Sequence, residues 1–262
     1  MSALLRHGRY VLGENPVTGL AFGLFVLLVV LATVGPWIVP YDPLASNTTQ
    51  ALQPPSWAHW FGTDQLGRDL LSRVVVATRL DLTISICAVL IAFAVGSAAG
   101  VSAGFYGGWT DRLVGRVTDT IMAFPLFVLA MGIVAALGNT VANIVYATAI
   151  INVPFYARLA GNGGPRILAV HLFPNCLPPM MVQISLNLGW AILNAAGLSF
   201  IGLGVRPPTP EWGIMVAEGA AFIVSGEWWI ALFPGAALML AVFCFNLLGD
   251  GLRDLIDPRT RT

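Results

Sequence analysis

Long stretches without charged side chains are the feature that most constrains how this chain can fold. No Asp, Glu, Lys or Arg occurs in residues 20–40, 82–110, 120–157, 172–205 and 228–249. A helix needs about 20 apolar residues to cross the hydrocarbon core of a bilayer, and each stretch is long enough. Charged residues make up 10% of the chain, against about 25% in soluble domains. The sequence therefore predicts an all-α, multi-pass integral membrane protein.

The number of spans follows from where these stretches are interrupted. The stretch 120–157 is too long for one crossing, and Gly138-Asn139-Thr140 in its middle is typical of a tight turn. The start of 172–205, PNCLPP, suits a helix interior poorly because proline lacks a backbone donor, so the span there is predicted at about 180–203. We therefore predict six transmembrane helices in a single transmembrane domain, residues 1–262.

The distribution of arginine predicts the orientation. On the side of the termini lie Arg6, Arg9, Arg112, Arg116, Arg158, Arg166, Arg253, Arg259 and Arg261, and on the other side lie Arg68, Arg73, Arg79 and Arg206. Because arginine is enriched on the cytoplasmic side, both termini are expected in the cytoplasm. The cytoplasmic parts are then 1–18, 158–176 and 250–262, and the two long loops, 41–81 and 204–227, face outward.

Ionisable groups are nearly absent from the predicted spans, and only Asp81 and Asp119 lie near span ends. Proton-coupled carriers usually bury acidic or histidine side chains, and the chain has no P-loop Gly-Lys-Ser/Thr element. Cys87, Cys176 and Cys244 have the spacing of neither a zinc site nor a disulfide framework. We therefore expect no catalytic residue, metal ion or cofactor on this chain, and its net charge of zero gives no sign of a nucleic-acid partner.

The first outward loop contains the string FGTDQLGRDLLSR at 61–73. Asp64 is predicted to cap a short helix that starts near Gln65, with Arg68, Ser72 and Arg73 on or near one face. An amphipathic helix beside the membrane, ordered by its own salt bridges, is the simplest interpretation from the residues alone. The candidate residues of this motif are Gly62, Thr63, Asp64, Gly67, Arg68, Asp69, Ser72 and Arg73.

The cytoplasmic segment ARLAGNGGPRILAVHLFPN, 157–175, is basic and rich in helix breakers. Pro165 suits the first turn of a helix, and Pro174 limits its end. Ile167, Leu168 and Leu172 can form an apolar face that inserts into a groove of a partner. An ordinary cytoplasmic turn is the alternative.

Polar and aromatic residues of the later spans leave two further questions open. Asn187, Asn194 and Ser199 in span five either line a translocation pathway or bond neighbouring helices. The second outward loop carries tryptophans that suit the belt at the membrane interface. The candidate residues at this second outward loop are Glu211, Trp212, Glu218, Glu227, Trp228 and Trp229.

Four strings in the same order resemble the dipeptide/oligopeptide/nickel permease family of ATP-binding cassette (ABC) importers, specifically its C-type subunit. The first is FGTDQLGRDLLSR before span two, and the second is ILAVHLFPN at 167–175. The others are LNAAGLSFIGLGVRPPTPEWGIMVAEG at 193–219 and FNLLGDGLRDLIDPR at 245–259. The resemblance runs from about residue 15 to the end of the chain.

The resemblance implies a type I ABC importer permease fold in a bacterial cytoplasmic membrane. The chain would form half of a pathway with a homologous B-type permease, with two ABC ATPases that bind ATP and Mg below and an extracytoplasmic substrate-binding protein above. The second outward loop would then contact that binding protein. The cargo implied is short peptides, with nickel or another small solute as the alternative.

The same resemblance implies that the cytoplasmic segment is a coupling segment that docks on an ATPase. The residues concerned are Gly161, Arg166, Ile167, Leu168, His171, Leu172, Pro174 and Asn175. The family has a longer loop here, with a Glu-Ala-Ala-x-x-x-Gly pattern ahead of the Arg-Ile and His-x-x-Pro-Asn elements. In this chain Gly161 takes the place of the motif glycine, PFYARLA still belongs to span four, and about twenty residues are missing.

Two other classes of protein are less favoured. A secondary carrier or channel would need a buried coupling group or a ring of polar side chains along a pore. An intramembrane protease would need a histidine beside Ser185 or Ser199, but His171 lies in the cytoplasmic segment.

Overall fold

A computed structural model describes residues 16–161 and 173–256, and its regular elements in these ranges are helices. The eight α-helices are α1 Pro16–Ile38, α2 Leu70–Tyr106, α3 Gly108–Ala123, α4 Leu126–Leu137, α5 Val141–Gly161, α6 Phe173–Phe200, α7 Trp212–Ala220 and α8 Trp229–Ile256. A short 3-10 helix covers Thr48–Gln50, and a single bridge joins Thr63 to Asp69. The predicted all-α class is confirmed.

Five described helices are long and apolar enough to cross a membrane: α1, α2, α5, the part of α6 from Pro179 to Phe200, and the part of α8 from Trp229 to Arg253. Helices α3 and α4 give a sixth crossing if the pair is counted as one bent span. The six-span prediction is compatible with this arrangement.

The third span differs from the straight helix expected between residue 120 and the turn at 138–140. Helices α3 and α4 meet at 94°, where Pro125 lacks an N–H group and its ring obstructs the preceding turn. Helix α4 has 12 residues and is about 18 Å long, short of the roughly 30 Å hydrocarbon core. The predicted turn itself is found: Gly138, with φ 92°, ends α4, and α5 begins at Val141.

Three other helix ends differ from the sequence-based bounds. Helix α2 begins at Leu70, inside the predicted loop 41–81, and its 37 residues extend about 55 Å. Helix α6 begins at Phe173, not near 180. Pro174 falls in its first turn, where a missing donor costs little, but Pro178 and Pro179 lie further along the helix. Helix α8 continues through the predicted tail to Ile256.

Helices α2 and α5 approach each other closely at two glycines of α2. A Cβ atom at Gly96 would lie 2.5 Å from the Val153 carbonyl oxygen, and one at Gly100 would overlap the Ala157 carbonyl. Small residues in this spacing let transmembrane backbones approach closely. One apolar cluster surrounds this contact, and a second joins α1, α2, α7 and α8. The helices that position the site are therefore held by direct backbone approach.

We expect Gly100→Ala to destabilise the protein, since the added methyl group must push α5 away from α2. Overpacking of this kind costs about 1–3 kcal/mol, measured as a lower thermal unfolding midpoint in detergent. Gly132→Ala is the matched control, because a Cβ atom at Gly132 meets nothing within 4 Å. Equal midpoints for the two variants would contradict this account of the α2–α5 contact.

Candidate functional site

The loop 41–69 and helix α7 fold together over the start of α2, and we call these two parts the cap. Backbone hydrogen bonds close the loop on itself, from the Leu52 N–H to the Asp64 carbonyl (3.0 Å) and from the Thr63 N–H to the Gln53 carbonyl (2.9 Å). Gly67 has φ 72°, a conformation that glycine adopts without steric cost. A Cβ atom there would also overlap the Asn47 carbonyl. The loop is therefore an ordered structure.

Four charged side chains form an ionic cluster in the cap: Asp64, Arg68, Arg73 and Glu218. Asp64 Oδ2 lies 2.6 Å from Arg68 Nε and 3.6 Å from Arg73 Nε. Glu218 Oε2, on α7, lies 3.4 Å from Arg68 Nη2 and 3.9 Å from Arg73 Nη2. The first three side chains are at most 2% exposed. The cluster contains two cations and two anions, so their charges balance inside a buried site.

Arg73 also ties distant parts of the chain together. Its Nη1 atom donates to the carbonyl oxygens of Pro43 (3.1 Å) and Pro208 (3.4 Å). These carbonyls belong to the start of the cap loop and to the segment that precedes α7. One guanidinium group therefore connects α2 to both parts of the cap.

The prediction that Asp64 caps a helix starting near Gln65 is wrong. Asp64 Oδ1 accepts the N–H groups of Leu66 and Arg68 within a turn, and the positive φ of Gly67 prevents a helix from starting there. The helix cap is Asp69, whose Oδ2 accepts the Ser72 N–H at 2.8 Å. Asp69 was singled out as a motif residue, but its capping role follows only from the observed start of α2.

All eight candidate residues of the motif at 61–73 come together in the cap and the first turn of α2. Thr63 donates its hydroxyl proton to the Gln50 carbonyl, and Ser72 donates its own to Asp69 Oδ2. Sequence reasoning missed two partners, since Glu218 was read only as a loop residue and His59 was not assigned. His59 Nδ1 lies 2.8 Å from Asp69 Oδ1.

Two of the tryptophans singled out near the second loop are buried inside the protein. Trp212 is 1% exposed and donates from Nε1 to the Val74 carbonyl of α2 at 3.0 Å. Trp229 is buried as well and donates to the Thr63 carbonyl at 3.3 Å. The interface-belt prediction is wrong for these two residues, which anchor the cap, while Trp228 is half exposed.

A cavity of about 530 Å³ lies between α4, α5 and α6. Four amide side chains reach it, so we call it the amide cavity: Asn152, Gln183, Asn187 and Asn194. Its other walls are Pro125, Leu126, Phe127, Ile151, Phe155, Leu186 and Trp190. Gln183 Nε2 donates to Asn187 Oδ1 at 2.9 Å. Asn152 Nδ2 and Asn194 Nδ2 donate to the carbonyls of Thr148 (2.7 Å) and Trp190 (3.0 Å) on their own helices. Each of these amides has a second N–H and an oxygen besides, and no lining residue is charged.

The predicted pathway residues separate into two groups. Asn187 and Asn194 line the amide cavity, seven residues apart and therefore on one face of α6. Ser199 lies elsewhere: its Oγ accepts the Val205 N–H at 3.2 Å and holds the turn after α6. Gln183 could have been found by its i, i+4 spacing to Asn187, whereas Asn152 joins the cavity only through the packing of α5.

Most of the predicted coupling segment falls outside the described residues. This applies to Arg166, Ile167, Leu168, His171 and Leu172. Gly161 is the last residue of α5, and Pro174 and Asn175 belong to the first turn of α6. Nearby, Arg158 Nη2 lies 2.6 Å from Asp119 Oδ1. This exposed pair joins the end of α5 to α3.

We expect Arg68→Ala to destabilise the protein by about 3–5 kcal/mol, because it leaves the buried Asp64 carboxylate with a weakened set of partners. Arg158→Ala is the matched control, since its ion pair is equally short but more than half exposed, and exposed pairs contribute about 0–1 kcal/mol. The measurement is the unfolding midpoint in detergent. Adding Asp64→Asn to Arg68→Ala should recover part of the loss. Equal effects of Arg68→Ala and Arg158→Ala would contradict this assignment.

Comparison with known proteins places this architecture in a family. The model of the family described as "binding-protein-dependent transport system inner membrane component" matches residues 96–168 and 156–262. The model described as the N-terminal transmembrane domain of oligopeptide transport permease C matches residues 9–55. Together the two matches extend over most of the chain.

Individual relatives are similar along nearly their whole length. The probable D,D-dipeptide transport system permease of Escherichia coli (strain K12) is 40% identical over 95% of this chain and 90% of the relative. The dipeptide permease of Alkalihalophilus pseudofirmus is 40% identical over 92% and 86%. The di/tripeptide permease of Pseudomonas aeruginosa (strain UCBPP-PA14) is 41% identical over 91% and 87%.

The comparisons also bear on the short cytoplasmic segment. The alignment with the Escherichia coli relative runs over 269 residues, yet 95% of this chain is about 249 residues, so about 20 aligned positions have no counterpart here. The two matches to the first family model overlap at 156–168, next to the place where the sequence predicts the missing residues. The chain belongs to the family of inner membrane components of binding-protein-dependent transport systems, as a C-type permease subunit of an ABC importer.

Proposed function

We propose that this chain forms half of the translocation pathway for short peptides and moves them by ATP-driven alternating access. The observation that carries the proposal is the amide cavity. Amide side chains both donate and accept hydrogen bonds, which complements the N–H and C=O groups of a peptide backbone. The volume of about 530 Å³ lies in the range of small-molecule sites. The relatives named above as dipeptide, D,D-dipeptide and di/tripeptide permeases support the same cargo.

Nickel transport and secondary transport fit the amide cavity less well than peptide transport does. Nickel favours imidazole and other nitrogen ligands, and none of the cavity-lining residues is histidine, cysteine or an acid. In the described ranges no group of three such residues could hold a metal ion. A secondary carrier would need an ionisable coupling group in the cavity. Another small solute remains the second candidate cargo, since amides also bind other polar molecules.

The pathway needs a second wall, which we assign to a homologous B-type permease. Two ABC ATPases would bind ATP and Mg and supply the energy, so this chain itself would hydrolyse nothing. A substrate-binding protein would deliver peptide at the cap. This arrangement places the cap outside a bacterial cytoplasmic membrane and both termini in the cytoplasm, as the arginine distribution predicts.

The coupling segment would transmit the movement of the ATPases to α5 and α6. These two helices flank it and carry all four amides of the cavity, so a shift at their ends would reshape the cavity directly. Because the segment is about twenty residues shorter than in relatives, docking would rest on the residues 166–175. The ion pair between Arg158 and Asp119 would steady the end of α5.

We expect Asn187→Leu to raise the KM for dipeptide uptake about fivefold, since one hydrogen bond to the cargo is worth about 1 kcal/mol. The measurement is uptake of a labelled dipeptide by cells that depend on this importer, at matched membrane levels. Ser185→Ala is the control on the same helix, because Ser185 bonds the Met181 carbonyl and does not line the cavity. Unchanged uptake in Asn187→Leu would contradict the assignment of the cavity to cargo.

We expect Leu168→Asp to detach the ATPase, because a buried carboxylate in an apolar groove lacks a partner. The chain should still insert in the membrane, while co-purified ATPase and dipeptide uptake both fall at least about tenfold. Leu5→Asp, in the other predicted cytoplasmic segment near the N-terminus, is the control. If Leu168→Asp retains its ATPase and its uptake, docking through this segment is wrong.

A further inference from the structure

Two buried carboxyl groups meet where the cap rests on α2. Asp81 lies in α2 and is 2% exposed, and Glu211 lies just before α7 and is fully buried. The Trp212 N–H donates to Asp81 Oδ2 at 3.2 Å. Because Glu211 directly precedes Trp212, this bond places the two buried carboxyl groups beside each other. Neither residue belongs to the ionic cluster or to the amide cavity.

No cation neutralises this pair in the part of the chain that the structure describes. Arg73 of α2 is engaged by Asp64 and Glu218, and Arg206 donates to Asn139. Arg79 is exposed. From α6 the neighbour is Ser199, an uncharged residue whose hydroxyl accepts the Val205 N–H. The charged residue of α7, Glu218, belongs to the ionic cluster, and no described ion pair reaches Asp81 or Glu211.

Two touching carboxyl groups that are buried without a cation cannot both be ionised. A hydrogen bond between them requires a proton, because two carboxylates offer only acceptors. The N–H groups of Gly213 and Ile214 each donate to Glu211 at 2.9 Å and can stabilise one negative charge. Burial nevertheless raises the pKa of the Glu211 carboxyl above its ordinary value. The two carboxyl groups together therefore hold one proton and one negative charge.

We propose that Asp81 and Glu211 form a proton-binding site, and that the shared proton latches α7 of the cap to α2. When α7 moves away from α2, the two groups separate, and the proton leaves to water as both become carboxylates. When α7 returns, the pair takes up one proton again. The latch depends on neither the cargo nor the ATPase.

The direction of the pH dependence follows from this arrangement. Since the folded pair holds a proton that the unfolded chain releases at about pH 4.5, its contribution to stability is complete below that pH. It is lost as the pH rises through the raised pKa of the folded Glu211 carboxyl. The closed cap should therefore be weaker in alkaline than in mildly acidic medium.

The direct test is infrared spectroscopy of the purified chain at about pH 7, where an exposed Asp or Glu is ionised. We expect the C=O stretch of a buried, protonated carboxylic acid, and its loss in both Asp81→Asn and Glu211→Gln. The control Glu218→Gln, on the same helix, should keep the band. Absence of the band from the unmodified protein, or its persistence in both variants, would overturn the proposal.

A second measurement tests the latch itself. The unfolding midpoint of the unmodified protein should fall between about pH 5 and about pH 9, and Asp81→Asn, which can donate the same hydrogen bond at every pH, should flatten this fall. Asp81→Ala should lower the midpoint at both pH values. Glu218→Gln should retain the slope. Equal slopes in Asp81→Asn and the unmodified protein would show that no shared proton holds the cap.

Discussion

The buried guanidinium group of Arg73 is the interaction on which the cap depends. A charge this deeply buried is costly unless it is paired. Arg73 has ion-pair partners in Asp64 (3.6 Å) and Glu218 (3.9 Å) and hydrogen-bond acceptors in the carbonyls of Pro43 and Pro208. Satisfying Arg73 therefore requires that the loop, α7 and the segment before α7 assemble around α2. Buried ion pairs add little net stability to a fold. They favour one packing of the cap on α2, because any other packing would leave a buried charge without a partner.

The cap and the amide cavity are joined through two helices. Helix α2 begins inside the cap and packs on α5 through Gly96 and Gly100, and α5 contributes Asn152 to the cavity. Helix α6 lines the cavity and, through Ser199, holds the turn that leads to Glu211 and α7. A change in the position of α7 is therefore mechanically connected to the cavity wall. This connection is what alternating access requires of a permease subunit.

The sequence predicted the structure best where a single physical effect dominates. Uncharged stretches predicted the spans because the bilayer excludes unpaired charge and backbone, and Gly138 predicted the turn before α5. Where several terms compete, the predictions were wrong. Asp64 looks like a helix cap, but Gly67 and the ionic cluster hold it in a turn. Trp212 looks like an interface residue, but its indole N–H has a better partner in α2. Pro125 could have marked the break between α3 and α4, but the angle of 94° between them and the approach of Asn152 to α6 depend on packing that no local pattern contains.

The central claim is that this chain is a peptide-conducting permease subunit driven by partner ATPases. The most direct test is to purify the assembly through a tag on this chain, reconstitute it in liposomes, and measure uptake of a labelled dipeptide with the binding protein present. The account predicts uptake with hydrolysable ATP on the ATPase side and none with a non-hydrolysable analogue. Uptake driven by a proton gradient without ATP, or an assembly without ATPase, would contradict it.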